Sequence, residues 1–352
     1  MKTRLIILAS ATAIMLASCG QKVSDKTLLT GVFEANPTES VEVSIQDINF
    51  NQTVPVREGQ FKVEIPKHLT GMAKVKAGII MATFISDGTP LTLTIKEDKK
   101  TEIVSKYPKV SVQERYNSFD KSMKEFQAHY RPLIESAQDT AEEDKLYDSY
   151  QNDVKKLCLS TVAENKDNIL TLTAVGNLRY LLTDNQMDSV LTGIDPSIAS
   201  LPSIAALATS VAARKATAEG KRFTDFTVGN QKLSDYVGNG KYVLVDFWAS
   251  WCGPCKAELP NIKDVYEKYA GSEFDVLSVA VWEKAEDSIE GAKNLGIVWN
   301  QIVDAQSVPT DLYGIDGIPH IILFGPDGTI VKRDLRGDDI EAEVAKYVKP
   351  VK

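Results

Sequence analysis

The sequence predicts an α/β layer domain at its C-terminal end. Before it come an all-β, sandwich-like domain and a helical segment. Three observations carry this reading. Strand-like runs separated by turn residues fill 28–108. Apolar residues then recur at helical spacing from 110 onward. From about Arg222, strand and helix patterns alternate, which is the mark of an α/β layer. The expected boundaries are 28–108 for the β domain, 109–221 for the helical segment and connector, and 222–352 for the α/β domain.

The β runs are Leu28–Glu34, Val41–Ile48, Gln60–Ile65, Ala73–Ile85 and Leu91–Ile95. Asn36-Pro37, Glu58-Gly59 and Asp87-Gly88 supply turns between them. Next, Tyr116, Phe119, Met123, Phe126, Tyr130, Leu133 and Ala137 form a stripe on one helix face, with Pro132 near its end. A second stripe runs Tyr147, Tyr150, Val154, Leu157, and Glu142-Glu143-Asp144 near its start suits a helix N-terminus. These stripes are short, so internal packing is expected rather than a dimerisation coil. A third helix is expected over about Ile169–Leu182. Residues 195–221 mix Pro, Ser, Ala and Gly and read as a connector. In the last domain the expected strands are Tyr242–Trp248, Phe274–Val281, Trp299–Asp304, His320–Phe324 and Thr329–Arg333. The expected helices are Pro254–Tyr269, Ala285–Leu295 and Ile340–Val348. All four tryptophans fall in this domain.

Composition narrows the function. A chain of 352 residues has room for two or three domains at roughly 100–200 residues each. A net charge of −8 without a basic block argues against nucleic-acid binding. Four cysteines do not make a disulfide scaffold. The histidines, His68, His129 and His320, lie far apart, so no multi-histidine metal site is expected.

Lys2 and Arg4 precede the uncharged run Leu5–Ala17, which is too short for a comfortable membrane span and right for a signal-peptide core. The run ends in Leu16-Ala17-Ser18-Cys19-Gly20. An ordinary signal peptide with an incidental cysteine fits these residues. They also resemble the lipobox of bacterial lipoproteins, and that resemblance implies removal of 1–18, lipidation of Cys19 and a short tether over 19–27. The body would then be anchored to a membrane by acyl chains, in the periplasm-facing cell envelope where disulfides persist.

The chemistry centres on Val243-Leu244-Val245-Asp246-Phe247-Trp248-Ala249-Ser250-Trp251-Cys252-Gly253-Pro254-Cys255-Lys256. A Cys-x-x-Cys pair that follows an apolar strand and opens a helix sits in a redox context. Free N–H groups and the helix dipole at that end favour a thiolate at Cys252. Cys255, one turn on, can resolve a mixed disulfide. Pro254 has no N–H to lose in the first turn. A zinc site needs two more ligands, and no other Cys or His has suitable spacing. A purely structural disulfide stays open on these residues, though the helix-start placement argues against it.

This motif resembles the thioredoxin superfamily active site. Cys255-Lys256-Ala257-Glu258-Leu259-Pro260 and the extended segment with Trp282 and Trp299 favour its TlpA/ResA-like extracytoplasmic branch. The resemblance covers 222–352 and implies a thioredoxin fold. It also implies that Glu258 lies beneath the active site and influences thiol proton transfer. Ile318-Pro319 resembles the superfamily's cis-proline loop, whose backbone offers hydrogen bonds to an extended substrate. Residues 28–215 look like the β-rich part that often precedes such domains in bacterial lipoproteins, a likeness that names no activity.

Asp246 lies six residues before Cys252, as in thioredoxin. A carboxyl buried there has a raised pKa and can take the proton of Cys255. Trp251, with Gly253 and Pro254, is expected at the substrate surface, and Trp248 in the packing. His320 reads as a strand residue, Lys256 as helix surface, and Cys158 as a buried small residue. The resemblance implies a thiol-disulfide oxidoreductase of the protein-disulfide reductase type. It would need no cofactor or metal, and a membrane thiol donor would feed it. Three other readings compete. A peroxidase would need Pro-x-x-x-Thr-x-x-Cys, and those places hold Val245 and Ala249. A disulfide isomerase usually uses a dimeric cleft. An envelope binding protein would use residues 28–215 to capture a partner.

Overall fold

The computed structural model describes residues 25–45, 48–66, 70–109 and 111–351. The expected signal peptide, Cys19 and His68 lie outside the described residues. The chain divides into two compact units between Glu143 and Asp144.

The first unit carries two four-stranded sheets among the described residues. β1 (Lys26–Phe33), β4 (Gln60–Pro66), β7 (Leu91–Ile95) and β8 (Thr101–Ser105) form one, in the order β4-β1-β7-β8. β2 (Ser40–Ile45), β3 (Phe50–Pro55), β5 (Gly71–Ala77) and β6 (Ile80–Ser86) form the other, in the order β3-β2-β5-β6. Period-two alternation puts Leu29, Ile65, Leu93 and Ile95 of one sheet and Val43, Ile45, Ala73 and Phe84 of the other into a shared core. Gly31 is required there, because a Cβ would stand 1.9 Å from the Phe61 ring. α1 (Val112–Glu135) is capped by Ser111 and seated on this unit. Gln113 Oε1 accepts from Ile85 N at 2.7 Å, and Asp87 Oδ2 accepts from Val112 N at 2.9 Å.

The structure corrects several sequence expectations here. The single run Ala73–Ile85 is a hairpin, β5 and β6, because Gly78 takes a left-handed turn with φ 61°. β3 and β8 were not expected. Both are edge strands, where the apolar alternation is weak: only Val54 is buried in β3.

In the second unit, α2 (Thr140–Glu164) begins just before the division and buries Cys158. α3 (Leu170–Leu178), α4 (Asp184–Thr192), α5 (Pro196–Ala199) and α6 (Pro202–Ala216) follow. The stretch 195–221 is therefore not a plain connector. Its prolines, Pro196 and Pro202, occupy first-turn positions and start helices rather than break them. The expected third helix ends at Leu178, and α4 starts anew behind a Thr183/Gln186 capping box.

Two-residue strands β9 (Thr227–Val228) and β10 (Gln231–Lys232) lead into the main sheet. That sheet contains β11 (Tyr242–Trp248), β12 (Phe274–Ala280), β13 (Asn300–Ile302), β14 (His320–Phe324) and β15 (Ile330–Arg333), in the order β13-β12-β11-β14-β15. β11, β12 and β13 are parallel, and β14 and β15 run antiparallel to their neighbours. Leu244 and Trp248 face α7 (Gly253–Tyr269) and α10 (Asp338–Val344) in one core. Val243, Val245 and Phe247 face Tyr313 of α9 (Val308–Tyr313) in the other. β11 is thus covered on both faces, which explains its near-continuous apolar run. α8 (Ala285–Leu295) places Ala292 in the α7 core. The core of this layer thus follows the expected α/β pattern.

Candidate active site

β11 ends at Trp248, and the chain turns through Ala249-Ser250-Trp251 into α7. Glu283 holds this turn: its carboxylate accepts from Ser250 N at 3.0 and 2.9 Å and from Ser250 Oγ at 2.6 Å. Cys252 is the N-cap of α7, and its Sγ accepts from Cys255 N at 3.1 Å. Sulfur therefore sits where the orphan N–H groups of the helix end concentrate positive potential. Cys252 and Cys255 are joined as a disulfide, Cα to Cα 5.3 Å. Both are buried, whereas Gly253, Pro254 and Trp251 beside them are exposed, Trp251 at 59%. An open groove of about 440 Å³ flanks the pair, lined by Ser250, Trp251, Lys256, Asp287 and Glu290.

Ile318-Pro319 is a cis peptide bond, and the Ile318 carbonyl oxygen lies 3.7 Å from Cys252 Sγ. The sequence-expected substrate loop and the cysteine pair therefore meet. This loop is braced from two sides. Asp316 accepts from Arg179 Nη2 at 3.1 Å, Ser210 Oγ at 3.1 Å and Arg214 Nη1 at 3.0 Å. Arg214 Nη1 also donates to Gly314 O at 3.3 Å. From the other side, Arg336 donates to Pro319 O, and to Leu335 O at 2.7 Å, and pairs with Asp334 at 2.8 Å.

Asp246 shares the face of β11 that carries Leu244 and Trp248, so it points toward the α7 core. It is buried, and its Oδ1 has no hydrogen-bond partner among the described residues. Burial pushes its carboxyl up to about 7; the Arg336 guanidinium pulls it down and the Glu258 charge adds to the rise. Glu258 is half-buried and accepts from Gly337 N and Asn261 Nδ2, each at 2.7 Å. It thus ties α7 to the start of α10 and acts on Asp246 through its charge. His320 bonds Asp334 at 3.3 Å, and burial lowers its pKa, in keeping with a strand residue rather than a base. Cys158 is fully buried and its thiol is pushed up to about 11. Trp248 is buried. No group of three or more His, Cys, Asp or Glu among the described residues is placed to hold a metal ion.

Sequence reasoning missed Glu283, Asp316 and Arg336. None carries a local signal, because each acts from a loop distant in sequence from the cysteines. The arrangement can do one kind of chemistry without added groups: exchange a disulfide with a second dithiol, with a nearby acid to hold a proton.

Residues 216–333 match the model of the AhpC/TSA family. The chain is similar to the thiol-disulfide oxidoreductase ResA of Geobacillus thermodenitrificans, at 26% identity over 144 residues, 40% of this chain and 81% of that protein. It is similar to ResA of Bacillus subtilis at 28% identity, over 34% of this chain and 66% of that one. Among solved structures, the thioredoxin domain of a thiol-disulfide oxidoreductase from Bacteroides vulgatus is 33% identical, with a TM-score of 0.33. That match covers 38% of this chain and 99% of that domain. The similarities fall in the C-terminal part and leave the N-terminal β domain unexplained.

Proposed function

From the premise that the C-terminal part is a thioredoxin-like domain of a thiol-disulfide oxidoreductase, we propose that this chain reduces protein disulfides. The observation that supports it best is the Cys252–Cys255 disulfide at a helix N-terminus, beside the cis Ile318-Pro319 bond. In the reduced enzyme the Cys252 thiolate attacks one sulfur of a substrate disulfide. The other substrate sulfur leaves as a thiolate, and a mixed disulfide forms. Cys255, its proton passed to Asp246, attacks Cys252 Sγ and releases the second substrate thiol. The substrate gains two electrons and the enzyme ends as the Cys252–Cys255 disulfide. An external dithiol must then return two electrons, and a membrane thiol donor fits that need. Ile318 and Trp251, with Gly253 and Pro254, form the surface that meets the substrate.

In this reading Cys19 carries acyl chains, and the body works on the periplasmic side of an envelope membrane. No helix among the described residues is long and apolar enough to cross a membrane. The AhpC/TSA match does not favour a peroxidase, because Val245 and Ala249 stand where that chemistry places Pro and Thr.

The test is the reduction potential of the pair in graded dithiol/disulfide buffers, together with trapping by Cys255→Ser. A potential of about −230 mV or below, with a mixed disulfide accumulating on Cys252, supports a reductase. A potential of about −180 mV or above reverses the direction to oxidase or isomerase.

A further inference from the structure

We propose that Asp316 is a positioning residue of the redox site, through which the helices α3 and α6 hold the cis-proline loop against Cys252. This rests on the reading of Ile318 as the backbone that meets the substrate.

The chain that leads to the cis bond is fastened step by step as far as Asp316. Tyr313 and Ile315 are buried in the sheet core. Tyr313 O accepts from Arg333 Nη2 at 2.6 Å, and Arg333 Nη1 donates to Thr217 O, just past α6, at 2.8 Å. Gly314 lies so close to α6 that a Cβ would stand 2.5 Å from Ser210 O. Both carboxylate oxygens of Asp316 are then taken. Oδ1 accepts from Ser210 Oγ at 3.1 Å, and Oδ2 from Arg214 Nη1 at 3.0 Å and Arg179 Nη2 at 3.1 Å. Arg179 caps the end of α3, and Ser210 and Arg214 lie one turn apart on α6. Arg214 is itself held, because its Nε donates to Asp184 at the start of α4 at 2.7 Å. Gly317 follows, exposed, with nothing within 4 Å of its ideal Cβ. One residue on, Ile318 O stands 3.7 Å from Cys252 Sγ.

Asp316 is exposed, and ion pairs at exposed sites contribute little to stability. Three donors from two helices nevertheless converge on it, which fixes its place from more than one direction. That matters two residues later. A substrate strand that pairs with the Ile318 backbone needs its N–H and C=O within narrow limits of distance and angle. A misplacement of about 1 Å can cost about 100-fold in rate. The helical segment is in this reading part of the redox apparatus, not a spacer before it.

The experiment is single-turnover reduction of two disulfides by the reduced full-length chain. One is an extended peptide with an interchain disulfide. The other is 5,5′-dithiobis(2-nitrobenzoate), an aryl disulfide too short to lie along the loop. The readout is the ratio of the two second-order rate constants, which a general loss of folded or reduced protein does not move. Asp316→Ala is expected to lower the ratio about tenfold, and Asp316→Asn, which keeps one acceptor oxygen, by less. Arg214→Ala is expected to lower it as well, and the double variant Asp316→Ala/Arg214→Ala to fall no further than the worse single one. An unchanged ratio in Asp316→Ala overturns the role of Asp316. Losses that multiply in the double variant overturn the coupling through α6. A wild-type chain that reduces the aryl disulfide but not the peptide overturns the underlying reading instead. If Asp316→Ala does not fold, Arg179→Ala decides, since it removes one donor and leaves the loop intact: a lowered ratio supports the positioning role, and an unchanged one refutes it.

Discussion

Gly314→Ala tests whether α6 is packed into the redox domain or merely precedes it. Gly314 ends α9 with φ 62°, two residues before Asp316. An added Cβ would stand 2.5 Å from Ser210 O and 2.7 Å from Arg214 Cγ, with Arg214 N at 3.0 Å. Two of these atoms are α6 backbone and do not rotate away. Gly229 is the control, with φ 58° and nothing within 4 Å of its ideal Cβ. Both substitutions impose the left-handed backbone cost of an L-residue, about 1–2 kcal/mol. Only Gly314→Ala adds overpacking, typically about 1–3 kcal/mol. The expected losses are therefore about 2–5 kcal/mol against about 1–2 kcal/mol. Urea unfolding followed by tryptophan fluorescence is the assay. All four tryptophans lie between 248 and 299, so the signal reports the second unit alone. Equal losses at the two glycines would refute the packing of α6 against this loop.

Three further outcomes are expected. Burial pushes the Asp246 carboxyl up from its ordinary 3.8 to about 7, so the folded state binds its proton more tightly. Its contribution is fully present below about pH 4 and is lost as pH rises through about 7. Asp246→Asn should consequently be more stable than wild type above pH 7, by about 4 kcal/mol at most, with the difference fading by pH 4 in urea titrations. Cys158 is fully buried with its thiol pushed up to about 11, so iodoacetamide should label it only after denaturant; mass spectrometry of tryptic peptides reads the outcome. Glu283→Ala strips the Ser250 turn of its acceptor and should cost about 2–3 kcal/mol by the same fluorescence assay, with Glu283→Gln recovering part of the loss.

The layer that carries the cysteines was legible because its signals are local. The apolar strand and the Cys-x-x-Cys at a helix start follow one another in sequence, Ile318-Pro319 is a local pair of its own, and the α/β alternation around them is strongly periodic. β14 and α8 match their expected spans residue for residue. The edge strands β3 and β8 escaped because they present little apolar alternation to read. The helices α5 and α6 are hidden because Pro reads as punctuation in a sequence, whereas at a first-turn position it initiates a helix. The bracing of the site was not legible at all. Arg214 lies 102 residues before Asp316, and Arg336 lies 17 residues after Pro319. A contact between two loops or a loop and a helix leaves no periodic trace, so only the folded chain brings these groups together. Glu258 was legible as a residue near the site, but its bonds to Gly337 and Asn261 were not.

Burial makes Asp246 a costly residue at its place in the sheet. A buried carboxyl with one oxygen lacking any partner among the described residues costs stability at neutral pH. Asparagine fills the same volume without the ionisation cost, and leucine would extend the apolar core of the face that Leu244 and Trp248 already line. A structural role would therefore be served better by either. What neither can do is accept a proton within a core that also holds Cys255. An acceptor works best when its pKa lies near the operating pH, and burial alone drives a carboxyl past that point. The Arg336 guanidinium pulls it back toward the ordinary carboxylate range. That guanidinium also bonds the carbonyl of Pro319.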